Sequence, residues 1–158
     1  MKLRDVMTNT VIRIHPDESV AVAARMLTRY NIGILPVCGN DGKIRGLVTD
    51  RDIVTRCIAA GKFPAQTKVG DVMTTQVVSA RPDMDGAMAA SLMGSRQIRR
   101  LPVVENGRLC GMVSLGDLAI ESETAYDAGD ALAEISGSLS GEDGCPSVKT
   151  HKNNSNFL

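Results

Sequence analysis

The sequence predicts an α+β protein made of two copies of one strand-helix-strand-strand-helix unit, packed as a pseudo-twofold pair. Three observations carry this. Short segments recur 66 residues apart: Asp5-Val6-Met7-Thr8 returns as Asp71-Val72-Met73-Thr74, Pro16-Asp17 as Pro82-Asp83, and Leu35-Pro36-Val37 as Leu101-Pro102-Val103. Within each copy the apolar periodicity alternates between that of a strand and that of a helix. Each copy closes on the same junction, Gly46-Leu47-Val48-Thr49-Asp50-Arg51-Asp52 and Gly111-Met112-Val113-Ser114-Leu115-Gly116-Asp117. There an apolar strand runs into a helix, with a hydroxyl at the joint and a carboxylate three positions later. Gly46 and Asp52 return at an offset of 65, so one residue is missing from the second copy. The loss falls between Asn40-Asp41-Gly42-Lys43 and Glu105-Asn106-Gly107-Arg108, a turn, where a duplication tolerates it.

In chain order, residues 11–14 are β-branched and read as a short strand. Pro16-Asp17 marks a turn and a helix start, and Val20, Ala23, Ala24 and Leu27 recur at helical spacing over 20–30. A strand over 34–38, a turn at Asn40-Asp41-Gly42 and a strand over 44–49 form a hairpin. A helix over about 50–60 follows, stopped by Gly61. The second copy gives strands over 77–80, 101–104 and 109–114, and helices over 87–95 and 115–121. Each copy is thus a three-stranded sheet with two helices on one face. A unit of about 60 residues hardly buries its own core, so the two cover each other. The organisation expected is 1–61 and 71–122 as the two units with 62–70 as connector. A helical extension over 123–136 follows, with Ala128, Leu132 and Ile135 on one face. The stretch 137–158, rich in Gly, Ser and Asn, reads as a disordered tail.

Composition narrows the function. The 158 residues balance 18 basic against 18 acidic side chains, which gives no general attraction to nucleic acid or anionic membrane. Two Tyr, two Phe and no Trp supply few base-stacking platforms. No apolar run approaches a membrane span and Met1-Lys2-Leu3-Arg4-Asp5 lacks a signal-peptide core, so a cytoplasmic protein is expected. Cys38, Cys57, Cys110 and Cys145 form no C-x-x-C pair, and with only His15 and His151 beside them no metal site is expected. The methionines read as core or interface filler. Walker A, G-x-G-x-x-G and Ser–His–Asp patterns are absent, so no catalytic residue is assigned and no enzyme is expected.

At the junctions, Thr49 with Asp52 and Ser114 with Asp117 admit two readings. The helix start offers free N–H groups and a carboxylate suited to the vicinal hydroxyls of a ribose. The same spacing is that of a capping box, in which hydroxyl and acid serve only the helix. Motif order (M-T near the start, apolar-Pro-Val in the middle, Gly-apolar-Val-[Ser/Thr]-x-x-Asp at the end) resembles the cystathionine β-synthase (CBS) domain, twice, over about residues 3–122. The chain looks like the small stand-alone bacterial CBS-pair proteins, the paired unit called a Bateman module.

The resemblance implies binding of AMP, ADP, ATP or a related adenosyl ligand, with [Ser/Thr]-x-x-Asp holding ribose. No cofactor is required by it. The candidate ligand contacts are Gly33, Ile34, Leu35, Pro36, Thr49, Arg51 and Asp52 in the first copy, and Ser79, Arg99, Arg100, Leu101, Pro102, Ser114 and Asp117 in the second. The Leu35-Pro36 and Leu101-Pro102 strands would flank the purine, and Ser79 the sugar. Arg99 and Arg100, which replace Gly33 and Ile34, and more weakly Arg51, would meet phosphate. The reading is a non-enzymatic adenosyl-ligand sensor, homodimeric through its helices, acting on an unidentified target protein. A ligand-free interaction module is the alternative, and a nucleic-acid-binding CBS protein is disfavoured by charge and composition.

Overall fold

A computed structural model describes residues 1–137; the expected tail lies outside the described residues, as do Cys145 and His151. The chain runs α1 (Leu3–Val6), α2 (Val20–Tyr30), β1 (Ile34–Cys38), β2 (Ile44–Thr49) and α3 (Asp50–Asp52), which passes into a π-helical stretch (Ile53–Ile58). A 3-10 turn (Pro64–Gln66) in the connector precedes α4 (Val69–Val72), α5 (Gly86–Arg96), β3 (Arg100–Glu105), β4 (Arg108–Ser114), α6 (Leu115–Ile120) and α7 (Ala125–Gly137). The long helices have the ends their sequences dictate. Ser19 accepts from the Val22 N–H to start α2, and Asp85 accepts from the Ala87 N–H to start α5. Asn31 and Gln97 close them in left-handed conformation, φ 51° and 56°.

The expected three-stranded sheets are two antiparallel hairpins, β1–β2 and β3–β4. The leading segments reduce to one parallel bridge each, Ile14 with Val37 and Ala80 with Val103. The prolines explain it. The Ile14 N–H donates to the Pro36 carbonyl and the Cys38 N–H to the Ile14 carbonyl. The rung before these would need an N–H on residue 36, and the rung after them one on residue 16. Both are proline and have none. Pro102 and Pro82 bound the second bridge in the same way. The second hairpin closes on Asn106-Gly107 with both φ positive, 52° and 79°, the short turn that a two-residue loop requires.

The helix expected over 50–60 is also corrected, since its middle is π-helical, with the Ala59 N–H bonded five residues back to Val54. Ile53, Val54 and Thr55 are consecutive β-branched residues, and the Thr55 hydroxyl takes the Arg51 carbonyl at 2.7 Å, in competition with the regular ladder. On α7 the buried face is Ala128, Ala131 and Ile135, while Leu132 stays 46 % exposed. Gly94 on α5 permits that docking, because a Cβ there would sit 3.1 Å from the Ala131 Cα.

Two apolar cores form, and each recruits the opening segment of the other copy. Leu3 of α1 is fully buried among Ala89, Met93, Leu101 and Leu118. Val69 and Val72 of α4 are fully buried with Val20, Leu35 and Val48. Backbone pairing repeats the exchange: Thr8 bridges Met112 as Thr74 bridges Leu47, and Lys2 bridges Asp85 as Lys68 bridges Ser19. Lys43 and Arg108, equivalent positions, bridge each other and so mark the pseudo-twofold axis.

Candidate functional site

Both junctions fold as complete capping boxes. The Thr49 hydroxyl accepts from the Asp52 N–H at 3.0 Å while the Thr49 N–H donates to Asp52 Oδ2 at 3.0 Å. In the second copy the Ser114 hydroxyl accepts from the Asp117 N–H at 3.1 Å and the Ser114 N–H donates to Asp117 Oδ2 at 2.7 Å. The extended Thr49 and Ser114 end their strands and begin the helices in one residue, which is why the spacing is three. Capping leaves each carboxylate one further oxygen, and the two copies use it differently. Asp52 is only 8 % exposed; the Thr74 hydroxyl lies 3.4 Å from both its oxygens and Arg56 Nε lies 3.8 Å from Oδ1. Asp117 is half-buried and has no ion pair among the described residues.

Asp117 and Ser114 line a cavity of about 290 Å³. Its other walls come from both copies: Met112, Val113 and Arg100 from the second, and Ile32, Ile34 and Pro36 from the first. Thr8, Thr10, Val11 and Ile12 complete it. The volume stands just below the roughly 300–1,000 Å³ of small-molecule pockets. Arg100 faces Ser114 across the hairpin, their Cα atoms in register. A second, more open groove of about 460 Å³ shares Arg100 and Ser114 with this cavity and adds Arg99, Leu115, Gly116 and the face of α7. Among the described residues no ion pair neutralises Arg100, which lines both, or Arg99, which lines the groove alone.

The strand prolines and leucines separate by the period of two. Ile34 and Pro36 turn to the cavity, while Leu35 and Leu101 are fully buried in the two cores. The Pro36 strand therefore walls the cavity of Ser114 and Asp117, in the other copy, rather than one at its own Thr49. Pro102 is buried and, with Gly33, Thr49, Arg51, Asp52 and Ser79, does not line this cavity. Ser79 and Arg51 are exposed, and the Gly33 carbonyl accepts the Asp50 N–H at 3.2 Å. The lining contributed by Thr8, Thr10, Val11, Ile12, Ile32, Met112 and Val113 was not among the sequence candidates. Its one signal was the recurrence of Met-Thr, which marks Thr8 without showing that it crosses to the other copy.

Among the described residues no group of three His, Cys, Asp or Glu side chains could hold a metal, and no helix is long and apolar enough to cross a membrane. Cys38, Cys57 and Cys110 are free thiols. Burial pushes the Cys38 thiol up, with Arg13 partly opposing it, and burial raises Cys110 as well.

The family model described as CBS domain matches residues 3–58 and 69–123. The CBS domain-containing protein YhcV of Bacillus subtilis is 41 % identical over 134 residues, covering 85 % of this chain and 94 % of that protein. The crystal structure of Hypoxic Response Protein I, with two coordinated zinc ions, superposes with a TM-score of 0.70 at 32 % identity, over 75 % of this chain and 97 % of its own. The CBS domain pair of protein MJ0100, in complex with 5′-methylthioadenosine and S-adenosyl-L-methionine, gives 0.67 at 28 % identity over 75 % and 93 %.

Proposed function

This chain belongs to the CBS domain family and carries two of its domains, and on that premise we propose that it is a non-catalytic cytoplasmic sensor of an adenosyl-type ligand of the AMP, ADP or ATP kind, taken up in the cavity of Asp117. The observation that carries the reading is the free half of the Asp117 carboxylate at the wall of a largely apolar cavity, built from both domains, that also presents Thr8, Thr10, Ser114 and Arg100. A ribose diol donates to the free carboxylate oxygen without disturbing the cap. Ile34, Pro36, Val11 and Ile12 supply apolar contact for a purine. Arg100 at the rim meets phosphate through charge-assisted hydrogen bonds, which strengthen binding by about 1.5–3 kcal/mol each. The MJ0100 pair, which holds two adenosyl compounds, supports the ligand class.

Because walls from both domains converge on the cavity, occupancy biases how the domains sit against each other, which is a signal for a partner to read. Self-association through the helical face of the first domain fits Tyr30, Val54 and Ile58, exposed there at 44, 57 and 54 %. A second reading, a ligand-free interaction module, is favoured by one observation: both capping boxes are already complete.

Thermal denaturation with AMP, ADP, ATP, S-adenosylmethionine, 5′-methylthioadenosine, NADH and GTP separates the two. A ligand at 100 times its dissociation constant adds about 2.7 kcal/mol to stability. The sensor reading expects such a shift, lost in Asp117→Asn. An unmoved melting temperature at millimolar concentrations of all seven leaves the interaction module.

A further inference from the structure

We propose that the first domain's ribose position is filled from within by Arg56, so that the chain takes one adenosyl ligand and not two. The inference rests on the sensor reading above and concerns which of the two carboxylates is open to ligand.

The difference lies in one side chain. Arg56 sits one helical turn beyond Asp52. Its Nη1 donates to the carbonyls of Val72 at 3.3 Å and Met73 at 3.0 Å, the last groups of α4. A guanidinium satisfies the free carbonyls of a helix C-terminus well. Anchored there, Arg56 carries its Nε to within 3.8 Å of Asp52 Oδ1. The Thr49 N–H already holds Oδ2, and the Thr74 hydroxyl lies 3.4 Å from each oxygen. The Asp52 carboxylate therefore meets a cation, a backbone donor and a hydroxyl, and is 8 % exposed. Arg56 is itself 51 % exposed and forms an ion pair with the carboxylate rather than a hydrogen bond, yet a ribose diol has to displace this anchored cation to reach it, and neutral hydroxyls replace a charge poorly.

The second domain has the opposite arrangement. At the position equivalent to Arg56, 65 residues on, stands Glu121. Thr8, equivalent to Thr74, lines the cavity without bonding Asp117. Asp117 keeps the Ser114 N–H alone among the described residues. The two carboxylates share a motif and a cap, and differ in what occupies their second oxygen.

Isothermal titration with AMP and with adenosine tests this on the full chain. The wild type is expected to bind one ligand per chain. Asp117→Asn is expected to weaken it at least tenfold, and Asp52→Asn to leave it within twofold. Arg56→Glu, which copies the second domain, is expected to raise the stoichiometry from one to two. Asp52→Asn does not depend on whether Arg56→Glu folds, because it is read in the wild-type background. Two equal sites in the wild type, or equal losses from Asp52→Asn and Asp117→Asn, overturn the inference and leave the sensor reading standing. A folded Arg56→Glu that stays at one ligand overturns the inference too. No binding by any of these proteins removes both.

Discussion

Gly46→Ala is expected to cost far more than the same change at Gly111, although the two glycines are equivalent. Each glycine lies where the Met-Thr segment of the opposite domain crosses the strand. A Cβ on Gly46 would lie 2.6 Å from the Thr74 carbonyl oxygen, a backbone atom, and 2.8 Å from Met73 Sδ. The Thr74 oxygen is fixed because Leu47 and Thr74 exchange two hydrogen bonds, at 2.9 and 2.8 Å. Overpacking of this kind costs typically about 1–3 kcal/mol. Stretching two backbone bonds worth about 1 kcal/mol each adds to it. Alanine recovers about 0.5–1 kcal/mol through its lower chain entropy in a strand. The steric term wins, and the net loss is about 2–3 kcal/mol, or roughly 4–12 °C in melting temperature. At Gly111 the nearest atom is Met7 Sδ at 2.5 Å, the mobile end of a side chain, and the Thr8 oxygen stands off at 3.2 Å. Rotation of Met7 relieves most of that, leaving about 1 kcal/mol or less. Urea denaturation of both variants, each repeated in a Met73→Ala or Met7→Ala background, reads the difference. Equal losses at the two glycines, or rescue of Gly46→Ala by Met73→Ala, would refute the backbone argument.

Two further outcomes follow from the cross-domain packing and from the caps. Leu3 is fully buried in the second core, so Leu3→Ala should lower stability by about 2–5 kcal/mol in urea denaturation; a loss below about 1 kcal/mol would mean that α1 is dispensable. Acid should destabilise the fold through Asp85, Asp83 and Asp41. The Ala87 N–H holds the Asp85 carboxyl below its ordinary value, the Arg81 side chain does so for Asp83, and the Lys43 N–H does so for Asp41. A carboxyl with a depressed folded value stabilises above its unfolded value, about 3.9, and that stability is lost as pH falls through the folded value. The urea midpoint should therefore be level above about pH 5 and fall below about pH 4. Asp85→Asn should show a shallower fall, and an unchanged acid slope would remove Asp85 from the account.

The repeat, the hairpins and the bounds of α2 are legible in the sequence because each is a local pattern. The third strand expected in each sheet does not form: the β-branched pattern marks the segment, and the missing donors of Pro16 and Pro36, at the rungs such a strand would need, reduce it to one bridge. What is not legible is which copy each repeated motif touches. A 66-residue offset says that Met7 and Met73 are equivalent, and it is equally consistent with packing inside a copy or between copies. The structure chooses exchange. For that reason the Pro36 strand walls the cavity of Asp117, and Thr8 and Thr10 enter a site to which their own domain's Thr49 and Asp52 do not belong.

The same exchange brings glycine, crossing segment and carboxylate together in each domain. Gly46, Thr74 and Asp52 form one cluster: the glycine admits the Met73-Thr74 segment, and Thr74 then reaches the carboxylate that Arg56 also approaches. Gly111, Thr8 and Asp117 repeat the geometry without the cation, and there the carboxylate faces a cavity instead. A duplication makes two equal frameworks, since caps, glycines and crossing strands are needed by both domains to fold. The charge one turn beyond the capping carboxylate differs, Arg56 in the first domain and Glu121 in the second, and Arg56 also serves the fold by holding the last carbonyls of α4. On the inference above, two domains that packing keeps alike differ in function through one side chain, Arg56, which meets Asp52 and has no counterpart at Asp117.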